Sequence, residues 1–144
     1  TGNDVLDTIL TEKSLACKEN NIVVSCVADG KGLEFLHPID LYTIFGNAMD
    51  NAIECVKNLQ KQEKRQIDVL IHRQHQFLIV QIMNPVEEEL EFEDNLPVTT
   101  KHDKAYHGYG LRSIKNSVKK YNGVFQVKIK DGCFCLKILF PIKE

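Results

Sequence analysis

The chain has 144 residues, 43% of them hydrophobic and 26% charged, with a formal net charge of -2. That length suits one domain with a real hydrophobic core, and the charge gives no electrostatic reason to expect nucleic acid. No apolar run approaches the roughly 18 to 20 residues needed to span a bilayer.

The opening, TGNDVLDTIL, has no basic stretch followed by an apolar block, so no signal peptide is expected. It also lacks a methionine, as a piece of a longer protein would. Residues 3–19 read as a moderately amphipathic helix ended by Asn20-Asn21, and residues 22–27 as a short β-branched strand. Asp29-Gly30-Lys31-Gly32 is a turn cluster. A long helical pattern follows, entered at His37-Pro38 with Pro38 near the first turn. Its apolar residues, Leu41, Ile44, Phe45, Ala48, Met49, Ala52, Ile53, Val56 and Leu59, keep helical spacing.

Then the period changes. Ile67, Val69 and Ile71 alternate with Asp68 and His72, and residues 77–83 are almost wholly apolar. Gln74-His75-Gln76 between them predicts a hairpin whose second strand is central. Residues 84–108 carry two prolines and a cluster of acids with no sustained period. A connection that long inside a compact domain is usually a functional lid or disordered. Leu111, Ile114, Val118 and Tyr121 then share one helical stripe, stopped by Asn122-Gly123. Strands at 124–130 and 133–140, joined by Asp131-Gly132, give the strongest hairpin signal in the chain. The order of elements predicts an α+β sandwich, with helices on one face of a mixed sheet.

The cysteines are Cys17, Cys26, Cys55, Cys133 and Cys135. The count is odd and there is no C-x-x-C pair, so they are read as reduced, mostly packing residues rather than a zinc site.

Two motifs carry chemistry. The stretch NAMDNAIE sets Asn47 and Asn51 four residues apart, and with Glu54 and Asn58 they form a narrow stripe beside the apolar face. One reading is a solvated helix edge with locally satisfied amides. The other is a pair of carbonyl oxygens for a hard cation such as Mg²⁺, which takes few protein ligands and fills its octahedron with water and phosphate oxygens. The stripe alone leaves both open. His107-Gly108-Tyr109-Gly110-Leu111 lies where the loop meets the basic helix. Glycines there let a backbone approach phosphate at a helix N-terminus; a flexible hinge is the plainer alternative.

Taken together, "FGNAMDNAIEC", a hairpin, a loop with "TTK" and then "HGYGLRSIKNSVKKYNG" resemble the ATP-binding catalytic domain of bacterial sensor histidine kinases. That superfamily also includes gyrase, the heat-shock chaperone and the mismatch-repair ATPases. The resemblance spans residues 1–144 and implies a two-layer α/β sandwich of the histidine-kinase ATPase type, with a long ATP lid within 84–108. It implies ATP and Mg²⁺ as cofactors. Asn51 is similar to the asparagine that contacts Mg²⁺, with Asn47 beside it at the metal. Asn47 also stands where hydrolytic members hold a general-base glutamate. An amide cannot take a proton from water at neutral pH, which favours holding ATP for transfer. His107, Gly108, Tyr109, Gly110 and Leu111 match the box that lies against the triphosphate, and Lys101 a lid position that meets phosphate charge.

One departure stands out. Most such kinases carry Asp-x-Gly-x-Gly after the second hairpin strand, where the aspartate accepts from the adenine amine; this chain has Met83-Asn84-Pro85-Val86. That pattern is most similar to the peptide-pheromone receptor kinases. Asn84 can still accept through its carbonyl, without charge assistance, so weaker adenine binding is expected. The acidic run Glu87, Glu88, Glu89, Glu91, Glu93 and Asp94 is placed on the outer surface of the lid. None of the five histidines sits on an amphipathic helix followed by an acid, as a phosphoacceptor does.

The resemblance therefore implies transfer of the γ-phosphoryl group to a histidine on a separate dimerisation domain of the same protein, and onward to a response regulator. It implies a cytoplasmic domain, touching a membrane only through upstream segments. The rivals are a nucleotide-binding regulatory or protein-interaction module without turnover, and an anti-sigma serine kinase. The long lid and the lack of an acidic base position speak against the latter.

Overall fold

The computed structural model describes residues 1–86, 91–93, 96–98 and 104–142, with side chains described for 1–86 and 109–142. Helix α1 (Asp4–Glu19) is capped by Asn3, whose side chain accepts from the Leu6 N–H at 3.0 Å. Asp4 and Asp7 fill its first turn, where the helix dipole favours negative charge. Asn21, at φ 57°, turns the chain into strand β1 (Val23–Ala28). Asp29 then caps a single 3-10 turn at Gly30–Leu33.

The long helical pattern folds as one rod with a defect in it. Helix α2 (Pro38–Leu41), a π-helical turn (Tyr42–Gly46) and helix α3 (Asn47–Val56) follow one another directly. Every apolar residue that the spacing assigned to this rod, from Leu41 to Leu59, is buried. The π turn is a difference from the expected regular helix. It lies immediately before Asn47, and such bulges concentrate at functional sites.

Strands β2 (Gln66–Gln74) and β3 (Phe77–Pro85) form the predicted hairpin, with His75 at φ 56° in its turn. Strands β4 (Glu91–Glu93) and β5 (Leu96–Val98) pair as a separate small hairpin, and helix α4 spans Lys104–Lys119. Strands β6 (Val124–Lys130) and β7 (Cys133–Pro141) close the chain. Asp131 at φ 54° and Gly132 at φ 75° give their two-residue turn the left-handed pair that a type I′ hairpin needs. The main sheet has the order β1-β2-β3-β7-β6; β1 pairs parallel with β2 and the other pairs are antiparallel. The sheet is mixed and β3 is central.

Register decides which face is buried. Ile71, Val80 and Ile138 lie side by side across three strands, as do Val69, Ile82 and Leu136. Because side chains alternate with a period of two, these rows point the same way. They join Leu6, Ile44, Phe45, Met49, Leu111 and Ile114 of the helices in one core. The result is two layers, helices over one sheet face.

One expectation is corrected here. The predicted connection 84–108 is shorter than its sequence span: β3 runs on through Pro85, α4 starts at Lys104, and β4 and β5 lie between. The five cysteines are free and most of them pack, as expected: Cys17 and Cys135 are buried and Cys55 half-buried, while Cys26 and Cys133 are exposed. The stop after α4 is as expected, but the left-handed residue is Asn122, at φ 59°. Gly123 is needed for closeness instead, since a Cβ there would sit 2.7 Å from Val118 Cγ1 and 3.0 Å from the Leu139 carbonyl oxygen. Among the described residues no helix is long and apolar enough to cross a membrane.

Candidate functional site

Helix α3 carries the asparagine stripe, and the structure sorts its members. Asp50, between the two asparagines, points away to α1 and pairs with Lys13 at 2.7 Å. Glu54 is tied to Lys57 at 2.7 Å, one turn on, and Asn58 is exposed. Asn47 and Asn51 remain.

Asn47 is anchored by the π turn. Its Nδ2 donates to the Thr43 carbonyl at 2.7 Å, which leaves Oδ1 as the outward end of the amide. That oxygen faces α4: a Cβ built on Gly110 would lie 3.3 Å from it. The two motifs, 63 positions apart in the numbering of Asn47 and Gly110, are therefore in near contact. Asn51, one turn further along, is buried at 7% exposure, and its side chain has no hydrogen-bond partner among the described residues.

Asn84 is the third member. It continues the inward row Leu78, Val80, Ile82 of β3 and is 1% exposed. Its Nδ2 donates to the Pro85 carbonyl at 3.0 Å, while Oδ1 is buried with no partner. Cys55 of α3 is half-buried. Burial is the main cause that pushes the Cys55 pKa up to about 11, so the thiol stays protonated at neutral pH.

The glycine motif is placed differently from expectation. Gly108 and Gly110 lie inside α4, which begins at Lys104, and not ahead of it. Tyr109 is 75% exposed and Leu111 is buried in the core. The side chain of His107, all of Lys101 and the acids Glu87, Glu88, Glu89 and Asp94 lie outside the described residues, as do the side chains of Glu91 and Glu93. No group of three or more His, Cys, Asp or Glu residues suited to a metal occurs among the described residues.

A family model described as "GHKL domain" matches residues 36–141. The chain belongs to the GHKL domain family. The match takes in Asn47, Asn51, Asn84 and the whole glycine motif, and leaves α1 and β1 ahead of it. No curated protein matches the chain. Among solved structures, the nucleotide-free catalytic domain of histidine kinase ThkA is similar, with a TM-score of 0.72 at 14% identity, covering 96% of this chain and 90% of that one. A second form of that domain gives 0.69 at 16% identity, covering 96% and 91%. Histidine kinase AdeS of Acinetobacter baumannii gives 0.67 at 12% identity; 98% of this chain is covered but only 64% of that one. At such identities the likeness is one of fold. This GHKL chain has the sandwich of histidine-kinase catalytic domains.

Two groups in this GHKL domain escaped the sequence reading. Cys55 carries no signal beyond a helical position one turn after Asn51. Asp40, a buried carboxylate, accepts from Tyr121 Oη at 2.5 Å and from Lys120 Nζ at 3.0 Å. Tyr121 in turn accepts from the His37 N–H at 3.0 Å. The Tyr121 hydrogen bond is the main cause that holds the Asp40 pKa low. Burial, then that same bond, pushes the Tyr121 phenol up. A cavity of about 510 Å³ opens near this knot, lined by residues such as Phe35, Tyr121 and Ile142. It borders none of the expected site residues.

Proposed function

We propose that this chain is the ATP-binding catalytic domain of a sensor histidine kinase. In this reading ATP lies across α3, the end of β3 and the start of α4, and its γ-phosphoryl group passes to a histidine on a separate dimerisation domain and then to a response regulator. The observation that carries it is the approach of Gly110 to the Asn47 amide oxygen. It joins a phosphate-type glycine motif to a pair of hard oxygen donors.

The residues divide the work by their chemistry. Asn84 Oδ1, a buried acceptor without a donor, fits the exocyclic amine of adenine. Its burial means that neighbouring side chains must yield to admit the ring. Asn51, with Asn47 beside it, would hold Mg²⁺ through amide oxygens, consistent with the ion's need for few protein ligands. When bound, the ion neutralises charge on the triphosphate. Asn47 has no basic group to activate water, so the nucleotide is kept for transfer. The backbone N–H groups of Gly108 and Gly110 must leave α4 to meet phosphate. Each glycine makes the helix about 1 kcal/mol weaker than alanine would, so this end unwinds most readily. Lys101 would add charge from the lid.

The match of Asn84 to a reduced first glycine box supports membership of the peptide-pheromone receptor kinases. The site is reached from the cytoplasm in this reading, and any membrane segment lies upstream. Titration of the chain with a non-hydrolysable ATP analogue, with and without Mg²⁺, tests the proposal. Tighter binding with Mg²⁺ is expected; no binding in either condition overturns it. A module without turnover would bind the analogue and yet fail to phosphorylate any dimerisation domain supplied with ATP.

A further inference from the structure

Strand β1 ends the main sheet, and among the described residues β2 is its only strand partner. Open edges usually carry a charge, a proline or a bulge that discourages further pairing. The run VVSCVA has none of these, and its register with β2 is unbroken from Val23 to Ala28. Its unused backbone groups can be identified. The Val23 N–H donates to the Arg65 carbonyl at 2.9 Å, and the Asp29 N–H to the Ile71 carbonyl at 3.2 Å. Direction alternates along a strand, so the odd-numbered residues turn their N–H and C=O groups to β2. Val24, Cys26 and Ala28 turn theirs to the open edge.

The side chains alternate as well. Val24 and Ala28 pack on the core. Val23, Ser25 and Val27 therefore stand on the sheet face away from the helices, where both valines are 65% exposed. The valines flank Ser25 symmetrically. When a second β1 is laid antiparallel with Ser25 opposite Ser25, Val23 of each copy meets Val27 of the other. Val24 and Cys26 then lie opposite one another and exchange their free N–H and C=O groups. The valine pairs fall at non-hydrogen-bonded positions, where cross-strand side chains come closest. Centring the pair on Cys26 instead sets Val23 against Asp29 and loses that apolar match.

We infer that the chain binds a second copy of itself through β1, antiparallel about a two-fold axis at Ser25, and so joins two five-stranded sheets into one. An edge pairing of this length buries less than the roughly 1,200 Å² of a standard interface, so the dimer is weak and depends on concentration.

Sedimentation equilibrium of residues 1–144 between about 10 μM and 1 mM tests this. The mass of wild type rises from monomer towards dimer and stops there. Val27→Lys sets a charge against Val23 of the other copy and stays monomeric, while melting as wild type does because the site is exposed. If that variant does not fold, Val23→Lys replaces it, since the symmetry makes the two equivalent. Cross-linking fixes the register. With Cys26→Ser and Cys133→Ser removing the exposed thiols, Ser25→Cys is expected to oxidise to a dimer linked through position 25, read by mass spectrometry of peptides. Val23→Cys in the same background stays unlinked, because its two copies lie four residues apart along the strands. A monomeric mass at 1 mM overturns the inference, as does a Val27→Lys variant that associates like wild type. Growth beyond dimer overturns the closed two-fold pairing, and Val23→Cys linking as readily as Ser25→Cys overturns the register.

Discussion

Asn47 and Asn51 sit one turn apart on α3 and yet face different neighbours, so their removal has different consequences. Asn51 is buried without a described partner, and its proposed role is a metal contact. Asn51→Ala is expected to abolish most of the gain in ATP affinity on adding Mg²⁺ and to leave metal-free binding nearly intact. Calorimetry with and without Mg²⁺ measures this, and an undiminished Mg²⁺ effect returns Asn51 to an ordinary helix amide. Gly110→Ala tests the other side of the contact. Inside a helix alanine is favoured over glycine by about 1 kcal/mol, so this variant melts no lower than wild type. Its new methyl group would press on Asn47 Oδ1 at 3.3 Å, and nucleotide affinity is expected to fall. A lowered melting temperature with unchanged affinity would contradict the placement of Gly110 in the site. At this scale the sequence marked the candidate residues, because a polar row beside an apolar helix face is visible as a pattern. It could not tell which end of each amide is free. That depends on the Thr43 and Pro85 carbonyls, which take the NH₂ ends only once the backbone is folded.

Among elements, the helical rod and α4 were legible from spacing, and their meeting was not. The π turn at Tyr42–Gly46 leaves the apolar positions three and four apart, so periodicity cannot show it. The start of α4 was masked by its own glycines, which read as loop residues. The Asp40 knot joins these two elements at their far ends, with the first turn of α2 bound to the chain just past α4. Tyr121→Phe removes a hydrogen bond to a buried carboxylate and is expected to cost about 1.5 to 3 kcal/mol, read from urea unfolding at pH 7. The pH dependence follows from the low Asp40 pKa. A carboxyl with a folded pKa below its unfolded value of about 3.9 stabilises fully above that value. The contribution is lost as pH falls through the lower folded value. Wild type should therefore exceed Asp40→Asn in stability by the full margin at pH 7, and the margin should shrink progressively below about pH 4. A margin constant down to pH 2 would mean that the charge of Asp40 is not what the knot uses.

For the molecule as a whole, the local hairpins β2–β3 and β6–β7 were readable because their turns lie between their strands. The parallel pairing of β1 with β2, and the insertion of β7 between β3 and β6, join segments distant in sequence and leave no local mark. The sandwich was still expected, since the inward rows of each strand must be covered by something and the amphipathic helices are what the chain supplies. What the sandwich holds decides what the chain can do alone. His37 caps α2, its Nδ1 accepting from the Ile39 N–H at 3.2 Å; His72 lies in β2 with Nδ1 buried, and His75 forms a turn. None of the three is displayed on an exposed helix, where a phosphoacceptor must stand to enter a neighbouring catalytic site. His107, within α4, is followed by Gly108 and not by an acid, and in the reading proposed above the chain is expected to bind ATP without labelling itself. Incubated with γ-labelled ATP, residues 1–144 are expected to stay unlabelled, whereas a parent protein with dimerising helices should acquire an acid-labile phosphate. Mixing the chain with those helices alone separates donor from acceptor: label should appear on the helices, and Asn51→Ala should suppress it. Stable phosphohistidine on residues 1–144 by themselves would place the acceptor inside this domain and refute the division of labour.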